Sequence, residues 1–211
     1  MDSKRELKSL YLRTLSTFLL LFSVIGGSAC LGPNELKACP VSTSSDFYFP
    51  KGSFYRTNEE RDNLAREITS PYLAAMGEPS LSCGKREESY RFVWLRSFDR
   101  PVAVRITIAS GLADLTAVQL EWRDGIEPGD VALRRHRVLN KKALAEFRRV
   151  FSAVRFNDLS YERRDLIDGS VWIVESTDGE NYKVVTRDSP ENGPIRELGL
   201  YFLAVTGWKF T

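Results

Sequence analysis

The sequence predicts an α+β fold: an antiparallel sheet of about six strands with amphipathic helices packed mainly on one face. Three observations predict it. Runs of alternating apolar and other residues, the pattern of strands with one face on a core, recur from Tyr90 to Arg187. Short, turn-rich connections make neighbouring runs antiparallel hairpins. Other stretches space their apolar residues along one face of a helix.

The first helix is predicted from Thr57 to Ala75. Thr57 and Glu60 form a capping-box pattern, in which hydroxyl and carboxylate serve the free amides of the first turn. Leu64, Ile68, Tyr72 and Leu73 recur at helical spacing, and Pro71 is expected to end or kink the helix near Ser70. The stretch from Glu78 to Gly84 reads as a loop that leaves Cys83 reachable. Three strands follow. Tyr90, Phe92 and Trp94 alternate with Arg91, Val93 and Leu95; Val102, Val104, Ile106 and Ile108 alternate with Ala103, Arg105, Thr107 and Ala109. Thr116, Val118, Leu120 and Trp122 alternate with Leu115, Ala117, Gln119 and Glu121. Asp99-Arg100-Pro101 and Ser110-Gly111 are the connections. After a turn-rich loop at Asp124-Gly125 and Pro128-Gly129-Asp130, Val131 to Leu139 reads as a fourth strand, its pattern blurred by arginines.

Asn140 is a good N-cap for a second helix, on which Leu144, Phe147, Phe151 and Val154 line one face beside Ala143 and Val150. Asp158 to Asp168 is charged and reads as irregular. Ser170 to Ser176 and Asn181 to Arg187 are β-rich runs joined through Asp178-Gly179, where glycine accepts positive φ cheaply. With those two as the turn, Trp172 lies opposite Val185, and Glu175 lies opposite Tyr182 on the other face. Pro194 suits the first turn of a terminal helix carrying Leu198, Tyr201, Phe202 and Val205 and ending near Gly207.

Ahead of this domain the chain has a leader. Lys4, Arg5, Lys8 and Arg13 precede an apolar run from Leu15 to Ile25, and Gly26-Gly27-Ser28-Ala29-Cys30 follows. Positive end, short apolar centre and small residues form the order of an export signal. The apolar run, about 11 residues, is well short of the ~20 needed to cross a bilayer. Gly27-Ser28-Ala29 before Cys30 resembles a bacterial lipoprotein signal, in which the cysteine after small residues is lipidated and becomes the mature N-terminus. It departs from the usual pattern at Gly27, where Leu, Val or Ala is more typical. The resemblance implies a signal peptide over 1–29 and a lipidated N-terminus at Cys30; composition and length then give a tether over 30–46 and a single α+β domain over 47–211. The tether is rich in Pro33, Pro40, Ser42, Thr43, Ser44 and Ser45. Plain cleavage after Ala29 and an uncleaved anchor are the alternatives.

The leader also accounts for the charge. Lys+Arg number 30 and Asp+Glu 28, and the leader holds four of the former and two of the latter, Asp2 and Glu6, leaving 26 of each. A globally cationic nucleic-acid binder is disfavoured. There are three cysteines. If Cys30 carries lipid, Cys39 and Cys83 remain as a pair for an oxidising compartment, closing a loop of about 44 residues worth roughly 4 kcal/mol, the alternative being two unpaired cysteines, one in the tether and one in a loop. No Cys-x-x-Cys supports a thioredoxin-like or zinc-ribbon role.

Candidate chemistry is sparse. His136, the sole histidine, is flanked by Arg134, Arg135 and Arg137 and reads as a solvated strand residue. Arg134, Arg135, Arg137, Lys141 and Lys142, with Arg148 and Arg149 beyond, form a basic cluster that is a candidate site for anionic lipid or envelope glycan. The competing reading has a strand and a helix spreading these charges over different solvated faces. Asp165 and Asp168-Gly169 lack the spacing of a calcium loop. Glu175, Asp188 and Glu197 are the carboxylates from which a hydrolytic acid–base pair would be drawn, a plain ion pair with Arg187 or Arg196 being the simpler reading. No catalytic residue, metal ligand or cofactor is assigned.

Asp168-Gly169-Ser170-x-Trp172-x-x-Glu175, then Tyr182, Arg187-x-Ser189-Pro190 and Arg196-x-Leu198-Gly199, occupy roughly the last 40 residues. This pattern resembles an uncharacterised bacterial envelope protein family of no assigned activity, which implies context and no mechanism. Physically, Arg187-x-Ser189-Pro190 reads as a corner that fixes the terminal helix against the sheet, with Ser189 capping the helix and Arg187 bonding nearby carbonyls. The expectation is an exported protein of the bacterial envelope, held to the membrane by an N-terminal lipid, with a binding or structural role and an envelope protein or glycan as partner. A secreted or periplasmic form, an exported hydrolase and a binder of anionic lipid or glycan are its rivals.

Overall fold

The computed structural model describes residues 48–83, 87–160 and 169–210. The leader, Cys30, the tether, Cys39, Asp165 and Asp168 lie outside the described residues. The rest form an α+β fold in the order α1 (Glu59–Ala75), β1 (Glu88–Arg96), β2 (Asp99–Ala109), β3 (Leu112–Leu120), β4 (Val131–Leu139), α2 (Lys141–Ala153), a 3-10 turn (Phe156–Asp158), β5 (Ser170–Thr177), β6 (Tyr182–Asp188) and α3 (Pro194–Thr206). The six strands make one sheet in the order β4-β3-β2-β1-β5-β6, antiparallel at every pairing. Among the described residues no helix is long and apolar enough to cross a membrane.

Two of the three helices share one face. There Phe92, Val104, Ile106, Leu115, Trp172 and Val174 meet Phe147 of α2 and Leu198 and Phe202 of α3. Phe92 stacks on Phe202 and lies 5.1 Å from Trp172, centroid to centroid. The opposite face carries Val93, Ala103, Val118 and Ile173, covered by Leu73 and Met76 at the end of α1 and by Tyr48, Phe49 and Phe54 before it. The central strands are therefore covered on both sides, and neither of their alternating rows faces water.

Several boundaries differ from the sequence reading for identifiable reasons. The β1–β2 connection is Ser97-Phe98; Asp99, Arg100 and Pro101 belong to β2, drawn in because Arg96 pairs with Asp99 and donates to the Arg100 carbonyl across a bulge at the end of β1. Ser110-Gly111 is a two-residue turn with positive φ at both positions, 50° and 79°, the twist a tight hairpin needs. The last hairpin has a four-residue loop, because the Asp178 carboxylate accepts the amides of Glu180 and Asn181 and the side-chain amide of Asn181. These donors hold the Asp178 carboxyl down at about 2. The longer loop places Trp172 opposite Arg187 and Glu175 opposite Val184. A slip of two residues leaves every side chain on its expected face, so Tyr182 and Glu175 still share one.

The first helix departs most. Its N-cap is Asn58, whose side chain accepts the Arg61 amide, rather than Thr57. Pro71 sits inside the helix without ending it, next to the hydroxyls of Thr69 and Ser70, which back-bond to the carbonyls of Ala65 and Arg66. Its buried stripe is Asp62, Arg66, Thr69, Ser70 and Leu73, while Leu64 is 57% exposed. Helix α2 matches expectation, with Asn140 accepting the Ala143 amide, and α3 runs over the expected residues with Pro194 in its first turn and Gly207 closing it at φ 69°.

Gly199 fixes how closely α3 approaches the sheet. A Cβ there would stand 2.3 Å from the Trp172 ring and 2.8 Å from Phe92. Gly199→Ala should therefore destabilise the fold by about 3 kcal/mol through overpacking, despite the better helix propensity of alanine. Urea unfolding of the two proteins measures the difference.

Candidate functional site

The most concentrated chemistry in the described residues is a row of charges across the middle of the sheet, on the face that α1 covers. Arg91 of β1 pairs opposite Arg105 of β2 on one side and Glu175 of β5 on the other. Arg91 and Glu175 are both fully buried. The guanidinium donates from Nε and Nη2 to the two carboxylate oxygens, at 2.6 and 2.9 Å, in the forked geometry that suits a planar donor pair. Its Nη1 donates to the Pro79 carbonyl at 2.6 Å. Two arginines directly opposite would repel, and Glu78 lies between them: its Oε2 is 2.8 Å from Arg105 Nε and 3.5 Å from Arg91 Nη1. Tyr182 donates its phenol to Glu175 at 2.8 Å, and Tyr48 donates to the Glu78 carbonyl at 3.1 Å. Two arginines face two glutamates, so the network is neutral.

Burial would lower the Arg91 pKa, but Glu175 and Glu78 outweigh it and hold the guanidinium above its ordinary value. Burial, reinforced by the Glu175 charge, pushes the Tyr182 phenol far up. Both groups are therefore donors at any working pH. A second buried pair ties the segment before α1. Asp62, 2% exposed, accepts the amides of Gly52, Phe54 and Tyr55 at 2.8 to 3.0 Å and Nε of Arg66 at 3.0 Å.

The residues singled out by sequence are dispersed. Glu175 is saturated by Arg91 and Tyr182, which replaces the expected pairing with Arg187 or Arg196. Asp188 is four residues beyond the partner of Glu175 along β6, roughly 13 Å, and Glu197 rides on α3 beyond the opposite face. Arg134 and Arg135 point to opposite faces of β4: Arg134 donates to the Met76 carbonyl at 2.9 Å and Arg135 to the Thr206 carbonyl, each serving the last turn of a helix where a cation is favoured. His136, largely exposed, lies 3.3 Å from Asp114 on the neighbouring strand. Arg137, Lys141 and Lys142 make no ion pair among the described residues. No group of three His, Cys, Asp or Glu side chains converges among the described residues. Cys83 ends the first described stretch, and Cys30 and Cys39 lie outside the described residues.

The Arg187-x-Ser189-Pro190 corner is formed as bonds. Ser189 exchanges backbone and side-chain contacts with Ser170, Arg187 donates to the carbonyls of Thr186 and Ser160, and Arg196 reaches back from α3 to the Pro190 carbonyl. Ser189 does not cap α3, whose N-cap is Gly193. A cavity of about 620 Å³ opens beside this corner, lined by Leu159, Arg187, Ser189, Pro190, Asn192 and Ile195 among the described residues.

Sequence reasoning missed the Arg91, Arg105, Glu78 and Glu175 network. The available signal was a charged residue at an alternating position in strands whose neighbours on both rows are apolar, as in Phe92-Val93 and Ile173-Val174. No family model matches the chain, and no curated protein matches it.

Asp62 sets a pH dependence. Burial raises its pKa, but the three backbone donors and Arg66 outweigh that and leave it lowered. A lowered folded pKa means that its contribution is complete above the unfolded value and drains as pH falls through the folded one. Asp62→Asn should cost about 3 kcal/mol at neutral pH and flatten the loss of stability as pH falls below the ordinary carboxylate range, read by urea midpoints against pH.

Proposed function

We propose that this chain is an exported protein held at the bacterial envelope by a lipid on Cys30, with a folded domain that acts by binding or structural support. The observation that carries the choice of binding over hydrolysis is the saturation of Glu175. Its two oxygens accept three hydrogen bonds, it is fully buried, and its partners hold it in a neutral network. A general acid or base needs a free lone pair or proton within reach of substrate. Glu175 offers neither, and Asp188 and Glu197 stand apart from it, which weighs against the hydrolase reading.

The location rests on the leader: Lys4 to Arg13, the short apolar run and Gly27-Ser28-Ala29 before Cys30. An oxidising compartment would let Cys39 and Cys83 pair once Cys30 carries lipid, and that pairing is part of the proposal. Arg134 and Arg135, spent on helix ends, weaken the case for a concerted anionic-lipid or glycan site on the five basic residues.

Mass spectrometry of the mature N-terminus tests this. The expected product begins at Cys30 with lipid attached; an unmodified Cys30, cleavage elsewhere or an intact leader contradicts the tether. Alkylation before and after reduction should release Cys39 and Cys83 together.

A further inference from the structure

We propose that β4 is an acceptor edge, to which an extended acidic segment of a partner protein adds as a seventh strand. The reading of an envelope binding domain supplies only the place where such a partner would be met. The two sheet edges differ. From β6, Lys183 reaches the Asn157 carbonyl and Arg187 the Ser160 carbonyl in the chain after α2. Among the described residues β4 pairs with β3 alone, and of its nine residues only Leu139 is buried. Its other side presents backbone donors and acceptors that pair with none of the described residues, a template for strand addition.

Charged side chains often guard such an edge. Here Arg134 and Arg135 are drawn back over the two faces, one to the end of α1 and the other to the end of α3, where Arg135 also lies 5.9 Å over the Trp208 ring. Their charges therefore flank both rows of an incoming strand without extending across the backbone. Arg137 stands beside Arg135 on one row, and His136 beside Arg134 on the other. Lys141 and Lys142 follow in the first turn of α2, which holds no acidic residue although that end of a helix favours one.

This charge selects the occupant. A second copy in the centred antiparallel register would set Arg135 against Arg135 and Arg137 against Leu133, and like charges directly opposite destabilise a pair. A strand with acidic residues at its centre places them across from Arg134, Arg135 and Arg137 instead. Val131 and Leu133 at one end, and Val138 at the other, are 42%, 46% and 60% exposed and suit apolar residues flanking the acidic centre.

The probe is a nine-residue acetylated peptide with consecutive glutamates at its centre and valines at both ends, compared with one of equal charge carrying proline in place of alternate valines. Isotope-labelled full chain is titrated in mild detergent and followed by amide shifts and hydrogen exchange. The expected result is binding of the first peptide with shifts and slowed exchange along Val131 to Leu139, and at least about tenfold weaker binding of the proline peptide. Arg137→Glu, at a side chain with no ion pair among the described residues, should weaken the first peptide by about tenfold, its melting temperature serving as the check on folding. Lys141→Glu, which suits the helix end, gives a second charge reversal and should weaken it in the same direction. Equal binding of both peptides, no binding at ~1 mM, displacement of the peptide by phosphatidylglycerol vesicles, or self-association through β4 would each overturn the proposal. None of these outcomes bears on the mass of the mature N-terminus, so the two readings fail separately.

Discussion

Taking Arg91 and Glu175 out of water carries a penalty of several kcal/mol per ion, which their attraction offsets only with good geometry and every remaining polar atom bonded. Much of the fold follows from meeting that condition at the centre of a sheet. Glu175 uses both oxygens on Arg91 and takes a further bond from Tyr182, so β6 must lie beside β5 in a register that delivers the phenol. Arg91 has one nitrogen left and an arginine opposite, so the chain after α1 must descend onto the sheet with the Pro79 carbonyl and the Glu78 carboxylate. Tyr48 then holds Glu78 by its backbone, and Asp62 and Arg66 fasten the segment that follows Tyr48 to α1. One buried pair thus recruits pieces of the chain from Tyr48 to Tyr182.

The two faces of the sheet consequently use different physics. The face under α2 and α3 is held by aromatic and aliphatic packing, tight enough that only glycine fits at position 199. The face under α1 mixes a smaller apolar cluster with directional bonds to buried charge. Directional bonds specify where a loop sits more narrowly than apolar contact does. The described residues that flank α1 are placed by them.

That division explains what the sequence reveals. Strands, hairpin connections and the two later helices are legible because apolar periodicity reports packing, and packing builds that face. The Asp178 hairpin shows the tolerance of this kind of reading: an error of two residues in register preserves faces, whereas an error of one would have exchanged core and surface. In α1 the same counting is right only in part. Leu73 is buried and Tyr72 packs against its cluster, but Leu64 is exposed and the rest of the buried stripe is polar, since Asp62 and Arg66 enter the interior as a matched pair. Arg91 was equally opaque. Alternation assigns it to an outer row, and a central strand covered on both sides has no outer row. The basic cluster shows the converse, because alternation along β4 separates residues that adjoin in sequence. Arg134 and Arg135 end at different helices.

Arg91 and Glu175 stabilise the sheet as one unit, and a double-mutant cycle on the pair tests this most directly. Arg91→Met and Glu175→Gln are made singly and together, and unfolding free energies are compared. Each single change should cost about 3–5 kcal/mol by stranding its partner. The double change should cost less than the sum by at least ~2 kcal/mol. Additivity to within about 0.5 kcal/mol would mean that the two charges stabilise the sheet independently, contradicting a fold organised around their pairing.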